Sequence, residues 1–294
     1  MNSLAALAAW WYSPFGEFAF MRRALAACFA LSLSSAPIGV LLTLRRMSLV
    51  GDATAHAVLP GAAVGFVVAG PSMLAMSAGG FVAALVVAIL AGLTARVTLL
   101  REDASFAAFY LIALASGVLL VSVHGSQVDL MHMLFGTVLA IDQTGSLLVA
   151  AISTITLLAL AIGYRGLVVE SFDPQFLRAH GHGGGYYHLV FVSLVVINLV
   201  AGFQALGTLM AVGLMMLPAA AARFWAANLP TLLAAASIIG SLAAFVGLAA
   251  SFHFDLPSGP SIVLTAGLLY GLSALFAPQG VSSSLVRHLR KREA

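Results

Sequence analysis

Lysine is almost missing from this 294-residue chain, and Lys291 in the C-terminal tail is the only one. A phosphate-binding loop of the form G-x-x-x-x-G-K-[ST] needs a lysine to reach the phosphates, so the body of the sequence cannot contain one. ATP hydrolysis by this chain alone is therefore not expected. Cysteine is equally scarce. Cys28 stands by itself, which excludes an intrachain disulfide and any multi-cysteine metal cluster. H-E-x-x-H and G-x-S-x-G are absent as well, leaving zincin-type and serine-hydrolase chemistry without support, and the chain is expected not to be an enzyme. Charge is the third shortage: 8% of residues are Asp, Glu, Lys or Arg, against roughly 25% in soluble globular domains. The N-terminus lacks a basic region followed by a short apolar stretch and a small-residue cleavage site, so insertion is assigned to the spans themselves and not to a removable signal.

What fills the chain is apolar. Hydrophobic residues make up 62% of it and the mean hydropathy is +1.07. About 20 helical residues cross a hydrocarbon core roughly 30 Å thick. Runs of that kind place spans at 23–44, 52–70, 73–95, 105–123, 144–163, 186–202, 205–226, 230–250 and 260–277. The fold class is all-α and polytopic, one transmembrane domain over 1–294 with eight or nine helices. Arg45, Arg46, Arg96, Arg101, Arg165, Arg178, Arg223 and the basic tail fall on alternate connections, and the positive-inside rule makes that side cytoplasmic. The connections near 70–72, 124–129, 202–204 and 251–259 carry no Lys or Arg and are expected outside. Arg22 and Arg23 break the pattern. Residues 4–20, with Trp10, Trp11 and Tyr12, form either an interfacial aromatic anchor or part of a rearranged first span. Gly61 with Gly65, and Gly267 with Gly271, form G-x-x-x-G patterns suited to close helix approach, with internal packing favoured over a dimer seam.

Asp52 and His56 lie four residues apart in one of these spans. Positions i and i+4 share a helix face, and ionisable groups inside a membrane are costly enough to suggest an ion route. Carboxylate and imidazole both suit borderline divalent ions. A rise of 1.5 Å per residue puts His56 about 15 Å beyond Arg46, near half a bilayer. Pro60 and Gly61 follow and permit a kink. The alternative is structural: Asp52 caps the span and His56 bonds a neighbouring helix. Asp129 and His132 form a second, outer pair able to meet arriving substrate. His180, His182 and His188 are either a loose metal-binding cluster or a solvated loop.

Residues 164–185 form the main cytoplasmic loop. Asp173 can cap, Pro174 can occupy the first helical position and Gly181 can end the turn, so a short helix is predicted at 174–180. The segment 128–141, VDLMHMLFGTVLAI, is too short to cross comfortably and suits a re-entrant or tilted piece.

Four blocks now combine into a resemblance. LRRMSLVGDATAHAVLPG (44–61), REDASFAAFY (101–110), VDLMHMLFGTVLAI (128–141) and QALGTLMAVGLMMLPAAAARF (204–224) stand in the order shown by the zinc/manganese family of ABC-importer permeases, which residues 20–277 resemble. The resemblance implies a helix-rich subunit similar to siderophore and cobalamin importer permeases, in the bacterial plasma (inner) membrane. It also implies a second copy of the chain around a central pathway, two ABC ATPase subunits, a periplasmic or lipid-anchored metal-binding protein and surrounding lipid; nucleic acid is not an expected partner. In such a permease Asp52 and His56 correspond to an ion-contact pair. The segment containing Phe172, Asp173, Pro174, Gln175, Phe176 and Leu177 corresponds to the element received by the ATPase. No cofactor is expected to stay bound. The expected cargo is Zn2+, with Mn2+ or iron as the alternative, and a proton-coupled secondary transporter or an intramembrane metalloenzyme are the rivals. HGHGGGYYH (180–188) departs from the family pattern.

Overall fold

The computed structural model describes residues 3–70, 72–98, 100, 102–124, 138–173, 176, 177 and 184–280. All regular structure among them is helical: α1 (Ser3–Glu17), α2 (Ala19–Leu44), α3 (Ser48–Ala69), α4 (Met73–Val97), α5 (Glu102–His124), α6 (Gln143–Phe172), α7 (Gly184–Leu206), α8 (Thr208–Ala222), α9 (Leu229–His253) and α10 (Ser258–Phe276), with a 3₁₀ turn at Val138–Ala140. In hydrocarbon no water satisfies the backbone, and a helix keeps its bonds within its own segment. Seven helices, α2, α3, α4, α6, α7, α9 and α10, are long and apolar enough to cross a membrane, while the apolar parts of α5 and α8, Ala104–Leu120 and Thr208–Ala222, are shorter. The protein is an all-α, multi-pass membrane chain.

α2 is the axis of the bundle, packed against α6, α7, α8 and α9. Every residue of 34–42 is buried, as a helix enclosed on all sides requires. At Gly39 the backbone of α8 comes so close that a Cβ would run into the Met215 carbonyl. One part of the core gathers Ile38, Val50, Phe106, Phe191, Val195 and Met215, a second gathers Leu31, Val149, Leu206, Met210, Leu248 and Ile262, and a smaller third joins Ala36 and Val40 to Ala219, Ala222 and Leu232. A polar link crosses this interior. Ser34 Oγ lies 3.1 Å from Ser153 Oγ and donates to Asn198 Oδ1 at 2.8 Å, and Asn198 Nδ2 donates to Thr156 Oγ1 at 2.7 Å. The link joins α2, α6 and α7.

The structure departs from the sequence expectations at several places. The span expected to end at 163 continues to Phe172, so the cytoplasmic loop set at 164–185 is helical over its first part and again from Gly184. Tyr164, Arg165, Glu170 and Ser171 suggested a loop by polarity. Glu170 and Ser171 are instead drawn inward by neighbours: Glu170 is buried, and Ser171 bonds Arg45. The connection expected at 202–204 is not there. α7 runs on to Leu206, and the break is Gly207 alone, at φ 93, a left-handed conformation that glycine adopts without steric cost. Gly202 instead serves packing, since a Cβ there would sit 2.6 Å from that of Ala211.

α1 is separate from α2, with extended Phe18 (φ −111, ψ 122) between them, and its aromatic side chains hold it to the end of α9. Trp10 stacks on His253 with centroids 3.6 Å apart, and the Tyr12 and Phe15 rings each lie 5.1 Å from Phe245. Arg22 Nη1 donates to the Gly16 carbonyl at 2.9 Å, where a cation complements a helix C-terminus. The two G-x-x-x-G patterns differ in use. A Cβ at Gly61 or Gly65 would strike the α4 backbone at Gly79 or Ala75, whereas Gly267 and Gly271 have open space above them.

Candidate functional site

α3 begins after an abrupt turn. Arg46 has φ 59, and its N–H donates to Thr43 O at 3.2 Å while the Met47 N–H donates to Leu42 O at 3.0 Å. This is the Schellman pattern of helix termination with arginine in the left-handed position usually taken by glycine. The turn sends α3 back along the bundle, with Asp52 in its second turn and His56 one turn further on.

Asp52 Oδ1 and His56 Nε2 are 3.5 Å apart, with the side chains 57% and 29% exposed. The pair therefore shares a face that this single chain leaves open at the carboxylate and covers more closely at the imidazole. On that covered side the Tyr110 ring of α5 lies 5.4 Å from the His56 ring, tilted by 31°. His56 Nδ1 is buried and has no hydrogen-bond partner among the described residues, which leaves Nε2 as the nitrogen directed at Asp52.

α3 is held so that this face stays open. On one side Gly61 and Gly65 lie on α4; on another Gly117 of α5 packs on Pro60, where a Cβ would sit 3.0 Å from the proline ring. Gly51 abuts α8, 2.9 Å from the Met215 methyl when given a Cβ. Thr54 is buried and turns its hydroxyl back to Val50 O at 2.6 Å, so it adds no free ligand. Among the described residues there is no group of three or more His, Cys, Asp and Glu placed to hold a metal. Asp52 and His56 stand as a two-ligand contact. A carboxylate oxygen and an imidazole nitrogen can each take one position on a divalent ion, leaving its other positions to water or to groups from elsewhere.

The remaining candidates fall in different places. Asp129 and His132 lie outside the described residues, as do Pro174, Gln175, His180 and His182. His188 is on α7, over Gly92 in an apolar groove between α4 and α7. Of the segment expected to meet an ATPase, Phe172 ends α6 and is exposed, Phe176 is exposed, and Leu177 is buried. Asp173 Oδ1 accepts from the Phe176 N–H at 3.0 Å, the N-cap bond expected of it. Residues 176 and 177 are helical, but most of 174–180 is outside the described residues.

Three participants escaped the sequence reasoning. Tyr110 is visible there only as one letter of a block, since nothing in its spacing points at His56. Asn198 is the one strongly polar side chain in its apolar run (189–203) and on that ground was discoverable. Arg45 carried only a topological meaning. In the structure its guanidinium sits 3.9 Å above the Phe191 ring and bonds the last turns of α6.

The helices and the polar pair on one of them define a multi-pass membrane protein with an ionisable pair on a partly open face of a spanning helix. By sequence, the chain belongs to the ABC 3 transport family, whose model matches residues 17–277; it is thus a transport protein and not a catalytic one. It is 31% identical to the manganese import system permease protein ScaB of Streptococcus gordonii, over 90% of this chain and 93% of ScaB. It is also 31% identical to the manganese transport system membrane protein MntC of Halalkalibacterium halodurans, over 94% of each. Among solved structures it resembles a chain of PsaBC from Streptococcus pneumoniae, determined in complex with Fab, with a TM-score of 0.79 and 31% identity over 92% of this chain and 96% of that one.

Proposed function

We propose that the protein is the permease subunit of an ATP-driven importer for manganese. Zinc, the cargo expected from sequence, gives way here because the relatives ScaB and MntC are named for manganese, while an Asp/His pair is compatible with either ion. The observation that carries the transport reading is the Asp52–His56 pair, 3.5 Å apart and exposed at the carboxylate, in a chain of this family. Two such permeases in the bacterial plasma membrane, facing each other across a central pathway, bring two pairs to one route. ATPase subunits dock at the end bearing Phe172 and Phe176, whose exposed rings supply the aromatic anchors that interfaces favour, and a metal-binding protein delivers the ion from the opposite side.

The test is uptake of radiolabelled manganese by cells lacking other importers, with permease levels matched. Asp52→Asn and His56→Ala are each expected to lower uptake at least about tenfold, the low-to-middle range of a lost coupling or contact. Wild-type uptake in both would sink the assignment. Uptake that follows the proton gradient and persists without the ATPase would favour the secondary-transporter rival, and preferential uptake of zinc at equal concentration would return the cargo to zinc.

A further inference from the structure

Arg45 ends α2, and its side chain joins two other helices. Nε donates to Ser171 Oγ at 2.9 Å and Nη2 to Leu167 O at 3.4 Å, both on the last turns of α6. Its Cζ stands 3.9 Å above the ring of Phe191, a fully buried residue near the start of α7. Ser171 Oγ also donates to Leu167 O at 2.6 Å, so the partners on α6 are themselves tied together. Buried Glu170 lies on the same turn. One guanidinium thus touches the helix that enters the segment between Asp173 and Gly184 and the helix that leaves it.

The same residue is the C-cap of α2, and the strained Arg46 turn follows at once, with Asp52 in the second turn of the helix beyond it. A displacement of the α6–α7 segment that tilts the last turn of α6 must either carry Arg45 with it or break a charge-assisted bond and a ring contact together. A planar guanidinium can donate sideways and stack at the same time, which an ammonium cannot do. Deeper in the bundle the Ser34–Asn198 link joins the same three helices, so motion passed to α2 at its end is resisted further in and falls on the α2–α3 corner.

We infer that Arg45 is the positioning residue that transmits movement of the ATPase-facing segment between α6 and α7 to the α2–α3 corner, and so to Asp52 and His56. This rests on the importer reading. The experiment uses the full permease–ATPase complex with its metal-binding protein in proteoliposomes, measuring ATP hydrolysis and manganese uptake on the same sample for wild type, Arg45→Lys, Phe191→Leu and the double variant. Arg45→Lys is expected to assemble and hydrolyse ATP within about twofold of wild type while moving about tenfold less manganese per ATP, a typical coupling loss. Phe191→Leu should show a smaller loss of the same kind. Because both touch one contact, the double variant should be no worse than Arg45→Lys, whereas independent effects would multiply. The proposal is overturned if manganese per ATP is unchanged in Arg45→Lys, if hydrolysis and uptake fall in proportion, if the two losses multiply, or if Arg45→Lys prevents assembly. A wild-type complex that takes up no manganese on ATP overturns the importer reading, and this proposal with it.

Discussion

Asn198 offers the sharpest test of how the bundle is held. Its side chain accepts from Ser34 at 2.8 Å, donates to Thr156 at 2.7 Å and donates to Leu194 O, in its own helix, at 2.9 Å. Replacing it with leucine keeps the branching at Cγ, with a somewhat larger side chain, and removes all three bonds. The bond to Leu194 is within the helix and adds little. Each interhelical bond in a membrane protein contributes about 0.6 kcal/mol on average and up to about 1.7, so the two interhelical bonds together give about 1–3 kcal/mol. Ser34 keeps Ser153 Oγ and Leu31 O, both at 3.1 Å, which lowers the penalty for stranding it and points to the lower half of that range. Asn198→Leu should therefore cost about 1–2 kcal/mol in reversible unfolding by SDS in mixed micelles. Combined with Ser34→Ala it should show a coupling of about 0.5 kcal/mol or more, as for residues of one network. A variant as stable as wild type, or strictly additive effects, would refute the reasoning and reduce the link to passive packing.

Two further outcomes follow from backbone geometry. Gly61→Ala should destabilise by about 1–3 kcal/mol, the cost of overpacking, since its Cβ meets the Gly79 carbonyl. Gly267→Ala, with nothing near its Cβ, should stay within about 0.5 kcal/mol in the monomer; the same unfolding assay on both separates internal packing from a seam. Arg46→Gly should raise stability by about 0.5–1 kcal/mol by relieving the left-handed strain, and a loss of that size would show that the exposed arginine side chain contributes more than its backbone costs.

Much of the architecture is legible in the sequence because lipid imposes a simple rule: an apolar run of sufficient length must be a helix. Helices α2–α10 lie where such runs lie, with boundaries shifted by caps and by tertiary partners. The end of α6 was misplaced because Glu170 is polar yet buried and Ser171 is bonded by Arg45 and not by water, and a single sequence cannot display those neighbours. Gly202 and Gly207 look alike in the sequence, yet one accommodates a neighbouring side chain and the other a positive φ. The Asp52–His56 pair was legible for the reason that i and i+4 are neighbours by helix geometry alone. Tyr110 was not, because its approach to His56 depends on how α5 is seated on Pro60.

α8 is only 15 residues long, about 22 Å of helix against a hydrocarbon core of about 30 Å. Gly207 joins it directly to α7, and Met210, Leu214 and Met215 are completely enclosed. Most of its surface is covered by the rest of the protein. A helix too short for the bilayer is kept by its neighbours: α2 and α7, synthesised before it, and α9 and α10, synthesised after it, all pack against it. The enclosure of α8 is thus completed only when the last two helices are in place, and a chain halted after Ala222 offers it α2, α3 and α7 but not the remaining wall.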